Sequence, residues 1–131
     1  MAERRRLPRA STQIPIRILH SSQAEMEAHT HNLSGSGVYC ETNRLLPLMA
    51  KVRLTLLIPP YFKSRAPRKI VCDGAVVRVQ PSLFSTGGAA RYLVAIFFTD
   101  IKPADRDHIV HYVAHHLAAA APPSSSTSPA A

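Results

Sequence analysis

Arginine side chains crowd the start of this 131-residue chain. Arg4, Arg5, Arg6 and Arg9 fall within the first nine residues, and Arg5 and Arg9 have the spacing RxxxR. A guanidinium group is a planar fork that binds phosphate through two hydrogen bonds and stacks on flat rings. The segment also has few apolar anchors. We therefore predict a flexible arm over residues 1–10 whose partner is an anion.

A second polar cluster lies between two candidate strands. Asn32, Ser34 and Gly37 stand in the run NLSGSG, which fits a pattern of Asp or Asn, one residue, Ser, two residues and Gly. Asn, Ser and Gly are common in tight turns because they bond their own backbone or accept unusual backbone angles. Their amide and hydroxyl groups are also ordinary ligand contacts, so each motif alone indicates little.

Catalytic patterns are missing from the sequence. There is no Gly-rich phosphate loop with a lysine, no HExxH and no GxSxG. His108, His111 and His115 share one sector of a predicted helix, but no carboxylate or thiol completes a metal set, so a solvated polar face is expected. We predict a protein that is not an enzyme and that holds no metal and no cofactor.

Composition favours a globular protein with an anionic partner. The chain is 46% hydrophobic and 18% charged, with a formal net charge of +8 at pH 7. No apolar run reaches the roughly 18 residues needed to cross a bilayer, and no signal peptide is recognisable, so we expect a cytoplasmic protein without membrane insertion. Cys40 and Cys72 lie far apart in the sequence, which predicts two buried, reduced thiols.

Six short segments have the alternation and turn boundaries of β-strands. They are Ile14–His20, Met26–Leu33, Gly37–Thr42, Lys51–Ile58, Lys69–Gln80 and Tyr92–Thr99. In the fifth, Val77 and Val79 alternate with Arg78 and Gln80 and are expected to share a face. Six strands at this spacing predict an antiparallel barrel, since closing the sheet removes exposed edges.

The end of the chain has a different pattern. Residues 103–117 predict one amphipathic helix, with Pro103 in its first turn and an apolar stripe of Ile109, Val113 and Leu117. The last residues, 119–131, contain mainly Ala, Pro and Ser, which predicts a disordered tail. The folded body is therefore expected over residues 11–118.

Taken together, the two motifs resemble the PilZ domain, the bacterial receptor module for cyclic di-GMP. The resemblance covers roughly residues 3–117 and includes Val76–Val79 and the segment Phe97–Val113, in the usual order of the family. It implies a six-stranded antiparallel β-barrel with a C-terminal helix. The strands and helix predicted from the residues agree with that fold.

The resemblance also implies roles for the arginines. Arg5 and Arg9 would clamp the phosphates and guanine edges of cyclic di-GMP, with Arg4 and Arg6 as helpers. This agrees with the chemistry, because an Arg fork matches both a phosphate and the O6/N7 edge of guanine.

The second motif would supply the remaining contacts. Asn32 would bond a guanine or brace the turn, and Ser34 would meet a phosphate or sugar oxygen. Gly37 would let the backbone pass close to the ligand, at an angle that a Cβ forbids. Asn stands at position 32 where many members have Asp, which removes a negative charge near an anionic ligand.

The resemblance implies a second-messenger effector rather than a catalyst. Ligand binding would fold the arm over the barrel, and the chain would signal by docking on a protein partner. Two alternatives stay open. One is a PilZ-type adaptor that binds no nucleotide. The other is a small basic barrel that binds nucleic acid, although only 6% of the residues are aromatic and Trp is missing.

Overall fold

A computed structural model of the chain describes residues 9–21, 23–61, 65–82 and 90–120. Within these residues, seven strands precede one helix. They are β1 (Arg9–Ala10), β2 (Pro15–Leu19), β3 (Met26–Ser34), β4 (Gly37–Thr42), β5 (Lys51–Ile58), β6 (Arg68–Pro81), β7 (Tyr92–Asp100) and α1 (Pro103–Ala120). The six strands predicted from the sequence are confirmed, and their ends differ from the prediction by at most one residue.

Six of the strands close into an antiparallel barrel. They follow the order β3-β2-β5-β6-β7-β4, and a further pairing of β3 with β4 completes the ring. The long strand β3 serves both neighbours, because its first half pairs with β2 and its second half with β4. The predicted six-stranded barrel with a C-terminal helix is therefore confirmed.

The short strand β1 extends the sheet beside the end of β3. Arg9 pairs with Ser34 and Ala10 with Leu33. The last two residues of the segment predicted as a flexible arm thus belong to the sheet. Residues 1–8, which make up the rest of that segment, lie outside the described residues.

Alternation along the strands fills the barrel with aliphatic side chains. Val52, Leu54 and Leu56 of β5 point inward and are almost completely buried. A bulge between Val76 and Arg78 interrupts the same alternation in β6. The expectation that Val77 and Val79 share a face is wrong at Val77, because this extra residue turns outward and is 51% exposed.

The helix α1 packs against β1 and β3, but its buried face differs from the predicted stripe. Ile109 and Val113 are fully buried, whereas Leu117 is 39% exposed. Tyr112 and Asp105 are buried in its place, because each has a hydrogen-bond partner outside the helix. The Tyr112 hydroxyl lies 3.1 Å from Thr12 Oγ1, and Asp105 accepts a 2.9 Å bond from Arg68.

The helix begins at Pro103, as predicted, and continues to Ala120, two residues into the segment predicted as a tail. Residues 121–131 lie outside the described residues. No helix in the described part of the chain is long and apolar enough to span a membrane. Both cysteines are buried and unpaired, as expected from their spacing.

Candidate functional site

A cleft of about 460 Å³ on the outer face of the barrel contains residues from both sequence motifs. Arg9 comes from the first motif, and Asn32, Ser34 and Gly37 come from the second. Arg4, Arg5 and Arg6 lie outside the described residues. The fold therefore brings together four of the seven residues that were predicted to bind a ligand.

One row of outward-facing residues forms the turn side of the cleft. It crosses β1, β3, β4 and β7 through the paired positions Arg9, Ser34, Gly37 and Phe97. Directly paired residues of neighbouring strands point to the same face, so these four lie side by side. Phe97 is 52% exposed, which places an aromatic ring next to the turn between β3 and β4.

A second row lies beside the first and includes residues that neither motif contains. It crosses β3, β4, β7 and β6 through Asn32, Tyr39, Ala95 and Arg78. Alternation along β4 places Tyr39 on the face of Gly37, a signal that the sequence carries. The position of Arg78 depends on the register of β6 and on its bulge, so sequence reasoning missed it.

The charge of the cleft is positive. Arg9 and Arg78 are both exposed, and the described residues that line the cleft include no Asp or Glu. The Arg78 guanidinium and the Asn32 amide have no hydrogen-bond partner among the described residues. Of these two groups at the cleft, one is cationic and the other can both donate and accept hydrogen bonds.

Ser34 braces the turn between β3 and β4. Its side chain is 3% exposed, and its hydroxyl oxygen accepts a 3.1 Å hydrogen bond from the backbone N–H of Ser36. The hydroxyls of the two serines lie 3.0 Å apart. This is the local bonding expected of Ser in a turn. The expected contact of Ser34 with a phosphate or sugar oxygen thus competes with bonds inside the protein.

Gly37 is required by the barrel itself. A Cβ at this position would overlap the carbonyl oxygen of Ile96 and come within 3.2 Å of the Phe97 Cα. The backbone of Gly37 is not in the left-handed region, so the expectation of an angle that a Cβ forbids is wrong. The close approach that demands glycine is the contact between β4 and β7.

Among the histidines of α1, His108 is a packing residue, whereas His111 and His115 are exposed. The His108 ring contacts the Tyr61 ring at a centroid distance of 5.3 Å, so His108 is not on a fully solvated face. Burial, followed by the charge of Arg68, lowers the pKa of His108 below its ordinary value. Among the described residues, no three His, Cys, Asp or Glu side chains meet in a way that could hold a metal.

The described part of the chain is thus a closed six-stranded barrel with a cationic cleft beside the turn between β3 and β4. The PilZ domain family model matches residues 3–115. The chain belongs to the PilZ domain family.

Solved structures with the same fold include three informative neighbours. The Bacillus subtilis inhibitor of motility MotI/DgrA has a TM-score of 0.75 and 15% identity, over 90% of this chain and 53% of that chain. The PilZ domain of Escherichia coli YcgR with c-di-GMP has a TM-score of 0.61 and 12% identity, over 88% and 94%. The K. pneumonia MrkH–c-di-GMP complex has a TM-score of 0.66 and 17% identity, over 88% and 53%.

The chain therefore spans about half the length of MotI and of MrkH. Identities this low establish the common fold and nothing finer. A search of curated proteins by sequence finds no match.

Proposed function

We propose that this protein is a cyclic di-GMP receptor that acts as a signalling module and not as an enzyme. The observation that carries the proposal is the meeting of two motifs that are distant in sequence. Arg9 and the cluster of Asn32, Ser34 and Gly37 line one cleft of about 460 Å³. This volume lies within the range of about 300–1,000 Å³ that is usual for small-molecule sites.

The cleft has the groups that this ligand would need. Cyclic di-GMP carries two phosphate charges and two guanines whose O6 and N7 atoms are acceptors. Arg9 offers a fork for a phosphate or a guanine edge, and Arg78 offers a second fork across the cleft. The exposed Phe97 ring adds an apolar surface beside them on which a purine can stack.

The polar residues of the turn would then have separate roles. The Asn32 amide has no hydrogen-bond partner among the described residues, and it can bond a guanine edge, which needs both donors and acceptors. We assign Ser34 a structural role in the turn, because its hydroxyl already accepts a hydrogen bond from the Ser36 N–H and lies beside the Ser36 hydroxyl. The Ser36 hydroxyl lies in the same cleft and is the better candidate for a phosphate or sugar oxygen.

Signalling would follow from the position of the arm. In the sequence, residues 1–8 come directly before Arg9, which lines the cleft, and they include Arg4, Arg5 and Arg6. Neutralisation of these charges by the ligand would fold the arm over the barrel, an order–disorder switch of a common type. The ordered arm would form or cover a surface for a protein partner.

Calorimetric titration with cyclic di-GMP tests the proposal. Loss of one charged, bidentate contact in Arg9→Ala should reduce the free energy of binding by about 1.5–3 kcal/mol, which is more than tenfold in affinity. Arg106→Ala is the matched control, because Arg106 is an exposed residue of α1 that does not line the cleft. GMP serves as the ligand control.

The result would discriminate among the classes of function. Binding that Arg106→Ala keeps and Arg9→Ala loses supports the receptor. No binding by the unmodified protein overturns it and leaves a PilZ-type adaptor.

The combination of Phe97, Tyr39 and two arginines on one strand face also suits single-stranded nucleic acid. Salt-sensitive binding of an oligonucleotide, without binding of cyclic di-GMP, would favour that second function.

A further inference from the structure

The loop between β4 and β5 exposes an unusual amount of apolar surface. Leu45, Leu48 and Met49 are 63%, 61% and 72% exposed, while Leu46 between them is 2% exposed and packs in the core. The other large hydrophobic side chains exposed in the described residues are spread over three strands and the helix: Leu57, Val71, Val77, Phe97 and Leu117. The segment Leu45–Met49, here called the apolar tip, therefore projects side chains from a loop that Leu46 anchors.

The backbone holds the apolar tip in a defined turn. Ala50 N–H donates to the Pro47 carbonyl at 3.1 Å, and Met49 N–H donates to the Val76 carbonyl at 2.7 Å. Met49 is the third residue of the turn and has a φ of 68°. This position normally takes Gly or Asn, because a Cβ is strained there.

The choice of methionine at this position needs a reason. Met49 is 72% exposed, so its side chain makes no contact in the core that would offset the strain of the backbone. Strain that packing does not explain is a feature of functional positions. The turn thus presents an apolar side chain to the outside at a position where glycine would fit better.

Cations flank the apolar tip on both sides. Lys51 and Arg53 line a shallow groove together with Met49. Arg53 is bound to Asp73 at 3.1 Å, whereas Lys51 has no acidic partner among the described residues. On the other side, the acceptors of Arg44 among the described residues are neutral oxygens, those of the Gln23 side chain and the Ala24 carbonyl. Within the described residues, no carboxylate therefore pairs with Lys51 or Arg44.

We propose that the apolar tip is a contact site for the surface of an anionic lipid bilayer. Leu45, Leu48 and Met49 would enter the boundary between headgroups and acyl chains, and Lys51 and Arg44 would lie against lipid phosphates. Stable protein interfaces bury about 800 Å² on each partner, which three projecting side chains do not supply. The contact requires no spanning segment and does not depend on nucleotide binding.

Met49→Gly is the decisive variant, because it should weaken binding to vesicles without lowering the stability of the fold. Co-sedimentation of the full chain with vesicles of phosphatidylcholine and phosphatidylglycerol measures the binding, without nucleotide. We expect the variant to bind at least about threefold more weakly, since it loses the most exposed apolar side chain. Its midpoint of thermal unfolding should not fall, since glycine relieves the strain.

Leu57→Ala is the matched control, because it shortens an exposed side chain on the far end of β5. It should bind the vesicles as the unmodified protein does. Pure phosphatidylcholine vesicles should bind at least about tenfold more weakly than the mixed ones. Equal binding by Met49→Gly and the unmodified protein would overturn the proposal. No binding to the mixed vesicles would also overturn the proposal and would favour a protein as the partner of the apolar tip.

Discussion

The guanidinium of Arg78 stands at the rim of the cleft, although Arg78 belongs to neither sequence motif. The β6 bulge pairs Val76 with Ile96 and Arg78 with Ala95, so Val77 is the extra residue. The Arg78 side chain is exposed, and it has no partner among the described residues. A planar cation in this position can stack on a purine or grip a phosphate.

Substitution of Arg78 separates these two roles. If stacking dominates, Arg78→Lys should weaken cyclic di-GMP binding nearly as much as Arg78→Ala, about three- to tenfold, because lysine keeps the charge but loses the plane. Calorimetric titration of both variants measures this. Arg17→Lys, at an exposed position outside the cleft, is the control. Full affinity in Arg78→Lys would show that charge alone matters.

Individual site residues differ in how far the sequence can place them. Arg9, Asn32, Ser34 and Gly37 could be named because their types and spacing form motifs. Arg78 could not, because a bulge shifts the side-chain alternation by one residue and leaves no mark in the pattern. For Gly37 only the expected backbone angle is wrong, and the contact with Ile96 that requires glycine exists only once β4 pairs with β7.

At the scale of elements, the strand that carries Arg9 is linked to the helix. β1 is followed by Thr12, whose Oγ1 lies 3.1 Å from the Tyr112 hydroxyl of α1. Ile14 N–H then donates to Thr30 Oγ1 at 3.0 Å, and the Ile14 carbonyl accepts from the Thr30 N–H. The chain is therefore bonded to α1 and β3 soon after β1, and the proposed ordering by the ligand is assigned to the residues before Arg9.

Hydrogen exchange with and without cyclic di-GMP tests this division. We expect the amides of residues 2–7 to exchange at least about tenfold more slowly when the ligand is bound, because the arm closes over it. The Ile14 amide is an internal control, since its hydrogen bond is independent of the ligand. Equal exchange of residues 2–7 in both states would contradict the proposed switch.

The helix illustrates why elements are easier to predict than their contacts. Periodicity along 103–117 located α1 and the burial of Ile109 and Val113. It did not reveal that Asp105 would pair with Arg68, or that Tyr112 would reach Thr12. Both partners come from distant parts of the chain, and together they turn the buried face away from Leu117.

At the scale of the whole molecule, closure of the barrel places both thiols inside. Burial raises the pKa of Cys40 to about 12, and burial together with the charges of Asp73, Asp105 and Asp100 raises that of Cys72 to about 12. The thiol of a cysteine in an unfolded chain has a pKa of about 8.5. Between these two values, the unfolded chain releases thiol protons that the folded chain keeps.

The free energy of unfolding should therefore depend on alkaline pH through the cysteines. Their contribution is complete below about pH 8.5 and is lost as the pH rises toward about 12, because only the unfolded state gains by ionisation. In Cys40→Ala, the decrease between about pH 9 and 11 should be less steep by roughly 1 kcal/mol per pH unit. Denaturant unfolding at a series of pH values measures the slope.

Val94→Ala is the appropriate control, because Val94 pairs with Cys40 across β4 and β7 and is equally buried. It creates a cavity in the same layer of the core without removing an ionisable group, so it should lower stability and leave the slope unchanged. If Cys40→Ala and Val94→Ala instead give parallel curves, the Cys40 thiol ionises as readily in the folded barrel as in the unfolded chain. That result would mean that the barrel opens at Cys40 without global unfolding.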